Sequence, residues 1–319
     1  MFIAATSADA TPQKIDGLYV NTFGSSSDPT LIFVHGGPGY HSWDFELTTA
    51  PTLAQAGYHV VVYDQRGQGR SDATGTDVFN YRQYADDLAL IIRTLDLKDP
   101  VLLGHSHGGP IAIKFDQLYP GIAKKIALVA APINFWGSLR SLLDNCSRYH
   151  QLKGNQQKVT ELAYVYYGIF LQRDLPADQL PGYVSAAFSY AFQCELYSTS
   201  NPTQEESTLR ALLRDNPVQG TLSGQMTAVG GFLQNDNYIK FDGVDHVAIN
   251  REHFCGIYGD EDGLFTPLEL ALIQNALQQP NEPSRFTTIA GASHAVYIDQ
   301  QTAFVAALHN TCGLTPNKD

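Results

Sequence analysis

The stretch VLLGHSHGGPIAIKFDQLY, residues 101–119, decides the fold. Its apolar run, Val101 to Leu103, gives way to Gly104-His105-Ser106-His107-Gly108, and a helix-length segment follows from about Gly109 to Tyr119. G-x-S-x-G by itself arises often by chance. At a strand-to-helix junction it has a physical meaning, because so sharp a turn forces the central serine into strained backbone and leaves no room for side chains two residues before and after it. Gly104 and Gly108 meet that demand, and Gly109 adds space. A helix beginning just beyond Ser106 also favours the negative charge that develops in acyl transfer. Ser106 is therefore the candidate nucleophile.

Working outward, Leu31 to Val34, Val60 to Tyr63 and Ile126 to Val129 are further continuous apolar runs, as expected of strands buried on both faces. Tyr81, Tyr84, Leu88, Ile91, Ile92 and Leu95 recur at helical spacing and put an apolar stripe on a helix between two of the strands. Alternating strand and helix predicts an α/β fold, a mostly parallel sheet with helices on both faces. After Ala130-Ala131-Pro132 the rhythm changes. From about Trp136 to His246 the chain is helical in character and rich in aromatics, punctuated by Pro176, Pro181, Pro202 and Pro217. Strand-like runs return at His253 to Tyr258 and Arg285 to Ile289. The pattern predicts one catalytic domain, residues 1–135 and 247–319, with a helical cap at 136–246 whose aromatics mostly form the cap's own core.

A serine hydroxyl needs a base within hydrogen-bond reach. Of the ten histidines, His294 stands in the small-residue loop Ala290-Gly291-Ala292-Ser293-His294, at the C-terminal end of a strand, where reacting groups gather in open α/β sheets. His105 and His107 flank Ser106, but neighbours on so tight a turn point away from it, so they read as packing or cleft-lining. The base needs a carboxylate to fix its tautomer. Gly259-Asp260-Glu261-Asp262 offers candidates, with Asp262 preferred because it is carried clear of the strand tip and Asp260 as the alternative. The chain order Ser, Asp, His fits this arrangement. His35-Gly36-Gly37-Pro38-Gly39, after the strand Leu31 to Val34, can bring the Gly37 N–H to a developing oxyanion, with the His107 N–H as second donor.

The 319 residues, 44% of them hydrophobic, suffice for a sizeable core. No run approaches the roughly 18 apolar residues that cross a bilayer. A net charge of −12 argues against nucleic acid or an anionic membrane as partner. Cys146, Cys194, Cys255 and Cys312 are too few for a disulfide framework, and no sequence cluster suggests a metal; a Cys146–Cys194 bridge stays open for an oxidising compartment. MFIAATSADA at the start lacks a basic region and reads as an edge strand, with a trimmed signal sequence as the alternative. These features favour a cytoplasmic location, with a secreted or periplasmic one left open.

Taken together, HGGPG at 35–39, YDQRGQGRS at 63–71, GHSHGG at 104–109, GDED at 259–262 and GASH at 291–294 resemble the prolyl iminopeptidase-like branch of the α/β hydrolases. The likeness covers about residues 14–131 and 250–310. It implies an α/β-hydrolase fold, release of N-terminal proline or a similar residue from short peptides, no metal or organic cofactor, and structural roles for Asp64 and Arg66 near the oxyanion turn. It also implies glutamates in the cap that hold the substrate's amino group. Glu161, Glu195, Glu205 and Glu206 are available, and Glu195 is the candidate. Two departures stand out: His107 replaces the bulky tryptophan usual after the nucleophile, and an arginine-isoleucine-glutamate-type motif is absent. The expected function is serine aminopeptidase chemistry on a short peptide or small molecule, with carboxylester or lactone hydrolysis as alternative and a non-catalytic ligand receptor as a different class. Epoxide hydrolase and haloalkane dehalogenase chemistry is disfavoured, since each needs a carboxylate at position 106.

Overall fold

A computed structural model describes residues 11–172, 176, 178–219, 224, 227–235, 240–279 and 281–316. The N-terminal segment expected to be an edge strand lies outside these residues. Eight strands form one sheet: β1 (Gln13–Ile15), β2 (Leu18–Phe23), β3 (Thr30–Val34), β4 (His59–Tyr63), β5 (Val101–His105), β6 (Lys125–Val129), β7 (Phe254–Gly259) and β8 (Phe286–Ile289). Their spatial order is β1-β2-β4-β3-β5-β6-β7-β8. β1 and β2 pair antiparallel, as do β2 and β4, and every other pair is parallel. The expected α/β fold is the one found.

The continuous apolar runs are explained by burial on both faces. Ile32, Val34, Val61, Leu102, Ile126 and Leu128 point into one core, while Leu31, Phe33, Val60, Leu103, Ala127 and Val129 point into the other. Helices α3 (Tyr81–Thr94), α4 (Gly108–Leu118) and α11 (Pro267–Leu277) cover the first face; α1 (Trp43–Thr48), α2 (Ala50–Gln55), α12 (Val296–Asp299) and α13 (Gln301–Asn310) cover the second. Each fully buried aliphatic or aromatic side chain stabilises the fold by roughly 1.5–3 kcal/mol.

Between β6 and β7 run α5 (Phe135–Leu152), α6 (Gln156–Tyr166), α7 (Leu180–Gln193), α8 (Gln204–Asp215), α9 (Thr227–Asn235) and α10 (Val244–Ile249). The two ends of this insertion are fastened together. Asn134 bridges Asp242, the Phe135 N–H donates to Phe241 O at 3.0 Å, and the Gly243 N–H donates to Ile133 O at 2.7 Å. Leu139, Leu162, Val165, Val184 and Ala187 form a core continuous with that of the first sheet face. Of the aromatics expected there, Phe170, Tyr183, Phe188 and Tyr190 pack against this core, whereas Tyr164, Tyr167 and Phe192 are exposed.

The four cysteines pair in space. Cys146 on α5 joins Cys194 at the end of α7, and Cys255 on β7 joins Cys312 beyond α13. His150, one turn along α5 from Cys146, completes a group whose ligand atoms lie within 4.8 Å of one another. This cluster was hidden from the sequence because its cysteines stand 48 positions apart, and its two sulfurs are bonded to each other.

Candidate active site

β3 is flanked by β4 on one side and β5 on the other, so the order of the strands reverses there, the position beyond whose C-terminal strand ends open α/β sheets gather their functional groups. Val34 is paired with Gly104, which brings the two following loops side by side. Ser106 leaves β5 in left-handed backbone, φ +51°, a conformation that costs a non-glycine residue on the order of 1–3 kcal/mol. It is held there because the Ser106 N–H donates to Val129 O at 3.0 Å and the Gly109 N–H donates to Ser106 O at 2.9 Å. A Cβ on Gly108 would stand 2.0 Å from Val34 O, so only glycine lets α4 start this close to β3.

The glycine loop after β3 lies against Ser106, as a Cβ on Gly36 would come within 2.9 Å of the Ser106 Cβ. Gly37 takes φ +133° before a cis bond to Pro38, and Gln68 Oε1 accepts from the Gly39 N–H. His35 beneath the loop accepts from the Gln65 N–H at Nε2, 3.0 Å, so its proton sits on Nδ1, which donates to Gly36 O at 2.6 Å. Burial holds the His35 imidazole down at about 4, in keeping with a neutral ring. His107 is buried too. Its ring lies edge-on to Phe232 of α9 at 4.6 Å and near Tyr81 at 5.4 Å, and burial pushes it down to about 3. Packing is thus what its side chain does; only its backbone faces the question of the oxyanion.

The expected acid and base meet. His294 Nδ1 lies 2.9 Å from Asp262 Oδ2, and both residues are buried. The second carboxylate oxygen accepts from the Leu264 N–H at 3.0 Å, which fixes its plane. Asp260, the alternative acid, is committed elsewhere: its Oδ1 accepts from the Gly291 N–H at 2.7 Å and braces the start of the His294 loop. His105 does more than the packing expected of it. Its Nε2 donates to His294 O at 3.0 Å, and burial, with the His294 ring 4.9 Å away, holds it well below the usual imidazole value. That contact spans 189 residues, and no sequence signal marked it.

The glutamates of the insertion are occupied or turned to solvent. Glu195 is exposed in a left-handed turn after α7, with the Lys153 ammonium in its electrostatic range, and the structure does not bring it together with Ser106. Glu161 pairs with Lys158 and accepts from Tyr190 at 2.8 Å. Glu205 accepts from Thr302, and the buried Glu206 pairs with Arg210 at 2.6 Å. Asp64 braces the oxyanion side as the resemblance implied, accepting from Ser42 N at 2.8 Å and Ser42 Oγ at 2.7 Å, but its cation is Arg70 at 2.7 Å. Arg66 points away, to Asp87 and Asp16. Burial alone would push the Asp64 carboxyl up; the hydrogen bond and charge of Arg70 outweigh it and leave it at about 2.

Among known proteins, the family described as the alpha/beta hydrolase fold matches residues 29–301. The chain is 30% identical over 118 residues to a bifunctional esterase/perhydrolase of Acinetobacter calcoaceticus, a match that spans 36% of this chain and 41% of that protein. In structure it is similar to a proline iminopeptidase-related protein from Thermus thermophilus, with TM-score 0.65 and 20% identity over 96% of this chain and 97% of the other. It is also similar to an N-acyl homoserine lactone degrading enzyme, with TM-score 0.62 and 17% identity over 94% and 99%. At such identities the structural likeness speaks for the fold.

Proposed function

The chain belongs to the alpha/beta hydrolase fold family, and from that premise we propose that it is a serine hydrolase working through an acyl-enzyme. The observation that carries the reading is the His294–Asp262 pair at 2.9 Å, joined through the His105–His294 contact to the turn where Ser106 is held in left-handed backbone. Ser106 Oγ attacks the substrate carbonyl while His294 Nε2 takes its proton. Asp262 holds the proton on Nδ1 and stabilises the imidazolium. The N–H groups of Gly37 and His107 receive the oxyanion, and losing either typically costs about 10²–10³ in turnover. Collapse of the tetrahedral species expels the leaving group with the proton from His294. Water, activated by the same histidine, then releases the acid and regenerates Ser106.

For the substrate, the HGGPG and DQRGQGRS motifs favour an aminopeptidase that frees N-terminal proline or a small residue, with residues 136–246 acting as the cap that chooses it. A second reading, carboxylester or lactone hydrolysis, is favoured by the state of the cap: Glu161, Glu205 and Glu206 are already bonded and Glu195 is exposed, so none is left as a buried acceptor for a substrate amine. We assign the folded chain to an oxidising compartment in place of the cytoplasm, because two disulfides persist there and are reduced in the cytosol.

The test is steady-state hydrolysis of proline p-nitroanilide, alanine p-nitroanilide and p-nitrophenyl butyrate, beside Ser106→Ala. Proline amide turnover that vanishes in the variant supports the aminopeptidase. Ester turnover alone selects the second reading. No turnover, together with no reaction of Ser106 with a fluorophosphonate, leaves a ligand-binding protein and ends the hydrolase proposal.

A further inference from the structure

The loop that carries His294 is held at several points, and two of its contacts, both made by Ser293, lead to the cap. Asp260 takes the Gly291 N–H and His105 holds the carbonyl of His294 itself. A further point is Ser293, immediately before the base, whose Oγ lies 2.9 Å from Tyr197 O of the cap. Its N–H donates to Asp299 Oδ2 at 2.8 Å, and its Oγ lies 2.5 Å from the same oxygen. Asp299, at the end of α12, is fully buried. Its other oxygen accepts from Arg210 Nη2 at 2.7 Å, and Arg210 stands on α8, inside the insertion. Glu206, one turn back on α8, accepts from Arg210 Nε at 2.6 Å and aims the guanidinium.

A buried carboxylate left short of a donor is costly, and the charge on Asp299 is compensated by Ser293 and Arg210 together. Burial pushes its carboxyl above the ordinary value, and the bonds to Ser293 and the charge of Arg210 pull against that push. The ring of His294 is fixed by Asp262 and its carbonyl by His105, which leaves rotation of the peptide before it as the remaining freedom. The Ser293–Asp299 bond restrains it at the Ser293 N–H, beside the Tyr197 contact at Ser293 Oγ and the Glu261 N–H bond to Ala292 O.

We propose that Arg210 and Asp299 are positioning residues: α8, once seated, locks the backbone at Ser293 through this pair and thereby sets the orientation of the His294 imidazole. The proposal rests on His294 being the general base. It makes the cap part of the catalytic geometry as well as a cover over the site. The guanidinium is suited to this, since its planar fork serves Glu206 and Asp299 at once.

The experiment compares Arg210→Gln, Arg210→Lys, Asp299→Asn and Glu205→Gln, following p-nitrophenyl butyrate turnover, the rate of fluorophosphonate reaction at Ser106, and Tm. Glu205→Gln is the control, because Glu205 makes a separate tie from α8 to Thr302 and does not touch Asp299. Arg210→Gln is expected to lower kcat by about tenfold to a hundredfold, the scale of a misplaced catalytic group, with KM nearly unchanged. Fluorophosphonate reaction should slow in parallel, Arg210→Lys should recover part of the loss, and Glu205→Gln should keep the original kcat. Asp299→Asn, which retains an acceptor for Ser293, should fall less than Arg210→Gln. If one of these two variants does not fold, the other decides. Unchanged kcat in Arg210→Gln or Asp299→Asn overturns the proposal, and so does an equal fall in Glu205→Gln, which would mean that seating α8 is all that matters. An unsubstituted protein that does not react at Ser106 is a different failure: it removes the hydrolase reading itself.

Discussion

His294 can act in only one tautomer. With Nδ1 directed at Asp262 Oδ2, the proton stays on Nδ1 and the lone pair is on Nε2. Asp262→Asn keeps the shape but can present an N–H to Nδ1, which moves the proton to the wrong nitrogen. We expect kcat to drop by about 10³–10⁴ with the fold and Tm little changed; a loss of under tenfold in steady-state assays would remove Asp262 from the triad. Asp64 offers a different residue-scale test. Its carboxyl is at about 2 in the folded chain, below the ordinary 3.8, so its pairing stabilises the fold above about pH 4 and that contribution disappears as the pH falls towards 2. The term is on the order of 2 kcal/mol. Denaturant melts of the unsubstituted protein and Asp64→Asn should therefore converge between pH 5 and pH 2, and a constant gap would contradict the assignment.

At the scale of elements, the junction of β5 and α4 is the least forgiving part of the chain. Gly108→Ala places a methyl group 2.0 Å from Val34 O, with backbone on both sides and nothing able to yield. We expect no soluble folded protein from this variant; a folded Gly108→Ala with a normal circular dichroism spectrum would mean that α4 does not start where it is drawn. The same junction explains why this region was readable in advance. β3 to β7 are apolar runs because both their faces are buried, and Ser106 and Asp262 follow such runs directly, with His294 after the shorter, half-buried β8. β2 escaped notice for a physical reason. It is an antiparallel strand near the sheet edge whose Asn21 is buried, made tolerable by the Glu46 carboxylate at 2.8 Å, and a polar residue in a short strand reads as loop until its partner is seen. The ties that hold the base loop were illegible for a related cause: His105 to His294 and Arg210 to Asp299 are made by the fold, across 189 and 89 residues, and leave no local pattern.

At the scale of the whole molecule, the disulfides close loops of 48 and 57 residues, one inside the insertion and one tying the chain beyond α13 to β7 of the sheet. In the chain-entropy account each restricts the unfolded state by roughly 4 kcal/mol. Full reduction, verified by thiol titration, should lower Tm by about 10 °C; an unchanged Tm with four reactive thiols would show that the bridges are not part of the stable fold. The paired neck at Asn134 and Asp242 has a consequence of another kind. Because the insertion leaves the sheet and returns to it at neighbouring points, its two ends are closed on themselves at the neck. Such a segment can be exchanged as a cassette: a foreign helical insert grafted between Phe135 and Phe241 would keep the neck and the loops around Ser106, and would have to fill the core that Leu139 and Phe232 share with the first sheet face. It would also have to supply its own counterparts of Arg210, which pairs with Asp299, and of Glu205, which accepts from Thr302, since the insertion is fastened to the rest of the molecule at several such points.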